Sequence, residues 1–208
     1  MSMGLARRWR KKALLTLKDY NPENILDIAA GTADICIKSF EYLRPRNVTG
    51  IDISEKMLEI GKKKVAQAGL SDRVTLRVED VSSMSFADQS FDAATTSFGI
   101  RNFEKLDQSL LEIHRVLKPH GKFVILEMSA PQTPVIKQGY LLYTKTLIPF
   151  AVRTFANDPK AYSYLTNSMS AFPQGKVFID ILKKNGFNCL KYKTFFLGVC
   201  SLYLAEKE

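Results

Sequence analysis

The stretch Ile25-Leu26-Asp27-Ile28-Ala29-Ala30-Gly31-Thr32-Ala33-Asp34 decides the architecture. Its first half, Ile25 to Ala29, is a short β-rich apolar run carrying a single acid, Asp27. A strand therefore ends, and a helix begins, across Gly31. The tight turn between them directs backbone N–H groups and a helix N-terminus at whatever lies beyond the strand, which suits a polar or anionic ligand group. Only one glycine is present, so the turn is not the G-x-G-x-x-G fingerprint of dinucleotide-binding folds.

The same rhythm continues downstream. Val48 to Ile53, Val74 to Val78, Phe91 to Phe98 and Lys122 to Met128 read as further short apolar runs bounded by turn residues, with helical stretches between them. Ser54 stands where an N-cap belongs, ahead of a helix over Glu55 to Ala68. Leu106, Leu110, Ile113 and Leu117 share one helical face, and Lys118-Pro119 should stop that helix, because proline cannot continue the ladder. Alternating strands and helices demand crossover connections, hence a mostly parallel sheet with helices on both faces. The rhythm then breaks. Val177 to Lys184 reads as a helix ended by Asn185-Gly186, and Phe187 to Phe196 with Val199 to Leu204 as an antiparallel hairpin turning near Gly198.

At 208 residues the chain fits one domain, residues 1–208, with a core of its own. Hydrophobic residues at 46% and charged residues at 25% exclude the disordered and fibrous classes. The longest weighty apolar run, Leu147 to Val152, falls far short of the ~20 residues needed to span a bilayer. Cys36, Cys189 and Cys200 share no C-x-x-C spacing, which indicates neither a zinc site nor a redox dithiol and suits a reducing, cytoplasmic setting. No metal is expected. The net charge of +9 favours an anionic partner without choosing between nucleic acid, a membrane face and an acidic ligand. Arg7, Arg8, Arg10, Lys11 and Lys12 make either a solvated face or one that touches anionic headgroups. Trp9 joins Leu5, Ala13 and Leu17 in an apolar stripe, and His114 reads as a packing residue. The aromatic-rich segment 131–172 reads either as a lid over an apolar substrate or as helices padding the sheet.

Four elements fall at the carboxyl ends of strands, where open α/β sheets bind ligands. Asp27 with Gly31 and Thr32 suits the amino-acid moiety of S-adenosylmethionine (SAM), whose ammonium needs acceptors and whose carboxylate needs donors. Asp52 ends the second strand, 25 residues after Asp27, and can accept from both ribose hydroxyls; its plainer role is to cap the helix that follows. Glu79-Asp80-Val81 closes the third strand with an acceptor for an adenine amino group and an N–H from Val81. Thr96-Ser97-Phe98-Gly99-Ile100-Arg101-Asn102 follows the fourth.

With these residues in place, the chain resembles the ubiquinone/menaquinone-biosynthesis C-methyltransferase family nearly end to end. The resemblance rests on Arg8-Trp9-Arg10-Lys11, Asp27 to Asp34, Phe98 to Asn102, Arg115-Val116-Leu117-Lys118-Pro119, Leu126-Glu127, Tyr162-Ser163-Tyr164-Leu165 with Ser168, and Phe172-Pro173. It implies a Class I SAM-dependent methyltransferase fold (Rossmann-like), with a seven-stranded, mostly parallel sheet closed by a C-terminal antiparallel hairpin. It implies SAM as cofactor, S-adenosyl-L-homocysteine as product, and a polyprenyl quinol as acceptor: demethylmenaquinol, or alternatively a ubiquinone-pathway benzoquinol. Carried over by position, Thr32, Asp52, Asp80, Val81 and Ser97 bind SAM, beside Asp27 and Gly31 of the turn. The chain departs from the family at Ala33 and His120, which stand where the family has glycines. Against the resemblance the sequence also reads as shortened ahead of the Arg8-Trp9-Arg10 stretch, where the family carries a further segment. An alanine held at positive φ would be strained by ~1 kcal/mol or more.

The chemistry needs an activated ring carbon, yet no His or Cys occurs in these motifs. Arg101 stays protonated and cannot be a base; it can stabilise a phenolate or hold the water that accepts the proton, with Asn102 and Tyr164 as partners. Arg101 could equally form a salt bridge within the fold. A nucleic-acid enzyme is disfavoured, because Ser97-Phe98-Gly99 replaces the N/D-P-P-aromatic run that would hold a flipped base. A SAM-binding, non-catalytic relative is the rival of another class. The expected location is cytoplasmic, or peripheral at the inner face of the cytoplasmic membrane. Oligomeric state is not legible.

Overall fold

The computed structural model describes residues 3–131, 168 and 172–208. The expected lid therefore lies outside the described residues, apart from Pro131, Ser168 and Phe172, and so does Tyr164. The described chain runs α1 (Met3–Leu15), β1 (Asn24–Ile28), α2 (Asp34–Tyr42), β2 (Asn47–Asp52), α3 (Glu55–Gln67), β3 (Val74–Val78), β4 (Phe91–Ser97), α4 (Leu106–Val116) and β5 (Leu117–Met128), then α5 (Lys176–Lys184), β6 (Phe187–Phe195) and β7 (Cys200–Lys207).

The seven strands form one sheet in the order β3-β2-β1-β4-β5-β7-β6. The pairs β1–β2, β1–β4, β2–β3 and β4–β5 are parallel, while β7 runs antiparallel between β5 and β6. This is the expected sheet with its closing hairpin. The strand order reverses between β1 and β4, the switch point at which such sheets open a crevice.

The inner strands are buried along most of their length because both faces are covered. Phe123 and Ile125 pack with Leu110 and Ile113 of α4 and Phe178 and Leu182 of α5. Val124 and Leu126, on the opposite face, pack with Trp9 and Ala13 of α1. Ile25 and Val48 meet Cys36 of α2 and Val65 of α3 on that second face. Leu5, Trp9 and Ala13 of the predicted stripe form the inner face of α1, Leu17 is buried with them just past its end, and Trp9 stacks on Phe195 at 6.4 Å. Ser54 caps α3 as expected, its hydroxyl accepting from Met57 N at 3.4 Å.

One boundary differs. Leu117 was expected to finish helix α4, and the next strand to begin at Lys122; instead α4 ends at Val116 and Leu117 opens β5. The reason is long-range pairing. Leu117 sits opposite Phe91, the register then shifts, and Lys122 sits opposite Ala93. The extra residues bulge out between these pairs, and His120 takes φ 60° there. The turn glycine of the resemblance has therefore been replaced at a position that does use positive φ.

Candidate active site

The carboxyl ends of β1, β2 and β4 and the loop after β3 surround a cleft of about 620 Å³. Asp27, Gly31, Thr32, Asp52, Asp80, Val81, Ser97 and Asn102 all line it. The turn after β1 is fastened to its neighbour by Ala30 N, which donates to the Ile51 carbonyl at 2.9 Å. Gly31 lies at φ 54°, and Ala29 at φ 56°, Ala33 at φ 61° and Phe98 at φ 64° share that left-handed conformation. The strain anticipated for Ala33 is real, and packing maintains it, because Ala33 is fully buried. The β1 and β4 loops also touch closely: a Cβ at Gly99 would stand 2.5 Å from the Cβ of Ala29, so only glycine fits there.

The acids of the cleft divide by environment. Asp27 is buried at the floor, accepting from Thr95 Oγ1 at 2.8 Å and Cys36 Sγ at 3.3 Å. Burial pushes its pKa up to about 7, against the Thr95 and Cys36 bonds and the positive charge of Arg10. Asp52 is half-buried. Its Oδ2 accepts from Gly31 N and its Oδ1 from Ser54 N, each at 2.8 Å, so it ties the first turn to the second while facing the cleft. Of the pair after β3, Glu79 is committed elsewhere, accepting from Ser85 N at 2.9 Å and Ser85 Oγ at 2.8 Å. Asp80 is held by Ser82 N at 2.8 Å, a bond that keeps its carboxyl below the usual range.

The residues proposed for chemistry separate. Asn102 lines the cleft, whereas the Arg101 guanidinium turns away from it, pairing through Nη1 with Glu127 Oε1 and donating to the Phe98 carbonyl at 2.8 Å. The internal salt bridge weighed for Arg101 is thus present. Glu127 is 1% exposed and accepts also from the backbone N–H groups of Met128 at 2.7 Å and Arg101 at 3.3 Å. Burial raises its pKa and Arg101 opposes that rise. Among the described residues, Arg101 Nε is buried without a hydrogen-bond partner. His114 packs edge-on against Phe187 at 5.4 Å, far from the chemistry. Among the described residues, no group of three His, Cys, Asp or Glu could hold a metal ion.

A family model described as the ubiE/COQ5 methyltransferase family matches residues 1–207. The chain belongs to the ubiE/COQ5 methyltransferase family. It is accordingly a SAM-dependent C-methyltransferase. It is 43% identical over 207 residues to a demethylmenaquinone methyltransferase of Bacteroides fragilis, covering 100% of this chain and 84% of that one. It is 34% identical to the ubiquinone/menaquinone biosynthesis C-methyltransferase UbiE of Cereibacter sphaeroides, covering 100% of this chain and 83% of the relative. In fold it resembles a SAM-dependent methyltransferase from Aquifex aeolicus, with a TM-score of 0.69 at 16% identity over 98% of this chain and 93% of that one.

The cleft of this ubiE/COQ5 member fits the chemistry of SAM. The protein is basic overall, yet the cleft is walled by Asp27, Asp34, Asp52, Glu79, Asp80 and Glu104 against Arg10 and Lys105. Such walls suit a ligand carrying a sulfonium and an ammonium. Two participants escaped the sequence reading. Glu127 was seen within a motif, but without a role. Arg10 was grouped with the surface cations of α1, and it reaches into the cleft instead. Helical periodicity could have separated Arg10 from Arg8 and Lys12, but not aimed it at Ser97.

Proposed function

We propose that this chain transfers a methyl group from SAM to a ring carbon of demethylmenaquinol, a polyprenyl quinol, with S-adenosyl-L-homocysteine as the second product. The observation that carries the reading is the row of Asp27, Asp52 and Asp80 at the carboxyl ends of three neighbouring parallel strands, all lining one cleft. Asp27 receives the ammonium, Asp52 the ribose hydroxyls, and Asp80 with the Val81 N–H the adenine edge; Gly31, Thr32 and Ser97 complete the contacts. When bound, SAM supplies a sulfonium methyl that is electrophilic without further activation.

The chain's own task is to activate and position the acceptor. A quinol carbon becomes nucleophilic when the neighbouring hydroxyl loses its proton. Arg101 is always protonated, so it serves as a fixed positive charge. Its guanidinium is held by Glu127 and the Phe98 carbonyl behind the cleft wall, from where its charge stabilises the developing phenolate. Asn102 and Tyr164 orient the same hydroxyl. Most of the rate enhancement then comes from alignment of the ring carbon with the C–S bond.

The acceptor's polyprenyl tail resides in the bilayer, so a cytoplasmic enzyme must work at the membrane surface. Among the described residues no helix is long and apolar enough to cross a membrane. Arg7, Arg8, Lys11 and Lys12 are exposed along α1 and suit the anionic inner face of the cytoplasmic membrane. Nucleic acid is not proposed as a partner, since the acidic cleft would repel its phosphates. The decisive experiment supplies methyl-labelled SAM with demethylmenaquinol and, separately, with a ubiquinone-pathway benzoquinol. Label in the first supports the proposal, and label in the second alone moves the acceptor to the other pathway. A protein that binds SAM and labels neither is the non-catalytic relative.

A further inference from the structure

We infer that Arg10 of α1 is the donor that receives the carboxylate of SAM, and that it is the residue that selects for that carboxylate. The inference rests on SAM being the cofactor. The amino-acid end of SAM brings an anion into a cleft lined by six acids and, among the described residues, two cations, Arg10 and Lys105. These cations serve different ends. Lys105 precedes α4, and its charge acts on Asp80, at the adenine side. Arg10 donates through Nε to Ser97 Oγ at 3.4 Å, lies over the Phe98 ring at 5.4 Å, and acts on the buried Asp27. It therefore stands beside the acceptor that takes the ammonium, where the carboxylate of the same α-carbon must fall.

Arg10 is also free to turn to a ligand. Its nearest acid, Asp34, is 3.7 Å from Nη1, longer than a hydrogen bond, and is already neutralised by Lys64 Nζ at 2.9 Å. That lysine donates to Thr32 Oγ1 as well, at 2.8 Å, and is committed to the turn. The guanidinium fork, steadied by Ser97 and Phe98, keeps donors for the two oxygens of a carboxylate, which Arg binds in a planar, bidentate way. The inner face of α1 fixes where Arg10 stands, because Trp9 and Ala13 are buried against β5 and β7.

The test compares SAM with decarboxylated SAM, which keeps the ammonium, sulfonium and nucleoside, by calorimetry on the full chain. The parent should bind SAM at least ~10-fold tighter than the decarboxylated analogue. Arg10→Gln should lose that preference, weakening SAM while leaving the analogue within about 2-fold of the parent. Arg10→Lys should recover part of the preference, which separates the role from a folding defect. Arg10→Gln that weakens both ligands equally, or leaves the preference intact, overturns the assignment. A parent that binds neither SAM nor the analogue overturns the cofactor reading itself.

Discussion

The two edges of the sheet use the same backbone conformation for different ends. At the amino edge, the non-glycine residues with positive φ are Asn21, Arg44, Gln89 and His120, all exposed and polar. At the carboxyl edge they are Ala29, Ala33 and Phe98 around the cleft, half-buried or buried and apolar, and, away from it, the exposed Phe196 and Leu197 in the turn between β6 and β7. At the first edge the strain is turn chemistry in water, where the chain can relax at little cost. At the second, neighbours hold the strained residues around the cleft: Ala30 N is bonded to the Ile51 carbonyl, Phe98 N to the Leu126 carbonyl at 2.8 Å, and Ala29 meets Gly99. Strain over-determined by packing is a mark of a pre-organised site. Its effect here is to aim Asp27, the turn and Ser97 at one volume.

The largest consequence should appear at Arg101, on the carboxyl edge. Arg101→Ala should lower turnover by ~10²-fold or more, about 2.7 kcal/mol at the barrier, with SAM affinity retained. It also leaves Glu127 buried without its partner, which destabilises. Arg101→Lys is therefore the sharper variant: it keeps the charge, should melt near the parent, and should recover only part of the rate, because the planar fork is lost. An Arg101→Lys enzyme with parental turnover and SAM affinity would return Arg101 to a purely structural pairing.

Next in size is Asp52. Asp52→Ala removes the ribose acceptor and the tie between the Gly31 and Ser54 N–H groups. SAM affinity should fall by about 1.5–3 kcal/mol, roughly 10- to 150-fold. Calorimetry on a folded variant measures this, and an unchanged affinity removes Asp52 from the ribose.

Asp27 gives a smaller effect that depends on pH. Its folded pKa is about 7 against 3.8 for the free side chain. Between those values the folded state holds a proton that the unfolded state releases. This group therefore favours folding most below about pH 4, and its contribution declines as pH rises towards 7. Ligand binding should show the opposite trend, since an ammonium prefers the carboxylate: SAM affinity should rise by up to ~10-fold per pH unit on approaching pH 7. Asp27→Asn should flatten both slopes. A SAM titration whose slope survives the substitution points to another group.

The smallest effects compare the two edges directly. His120→Gly relieves strain at an exposed bulge and should stabilise by up to ~1 kcal/mol. Ala33→Gly relieves the same strain of ~1–2 kcal/mol, but loses a buried methyl worth ~0.8 kcal/mol and adds ~0.5–1 kcal/mol of unfolded-chain entropy. Its net change should lie near zero. Thermal melts of the pair read the difference, and a large gain from Ala33→Gly would mean that packing does not support that turn.

The sequence by itself determined the sheet, its closing hairpin and the acids at the strand ends, because these depend on local signals. Apolar runs near a strand's length, a Ser54 cap and a glycine turn each act within a few residues. Only the tertiary structure decided the rest. Leu117 satisfies the period of α4, yet it joins β5 because Phe91 offers it a strand partner. Arg10 looks like its neighbours in a basic run, and it enters the cleft because burial of Trp9 against Phe195 sets the rotation of α1. Arg101 meets Glu127 because β4 and β5 lie side by side, and the Asp27 pKa is pushed up to about 7 because the packed sheet buries its carboxyl, against the lowering pull of the Thr95 bond. Spacing along a chain records what a residue can do. The elements that pack around it determine what it faces, and hence its charge and its role.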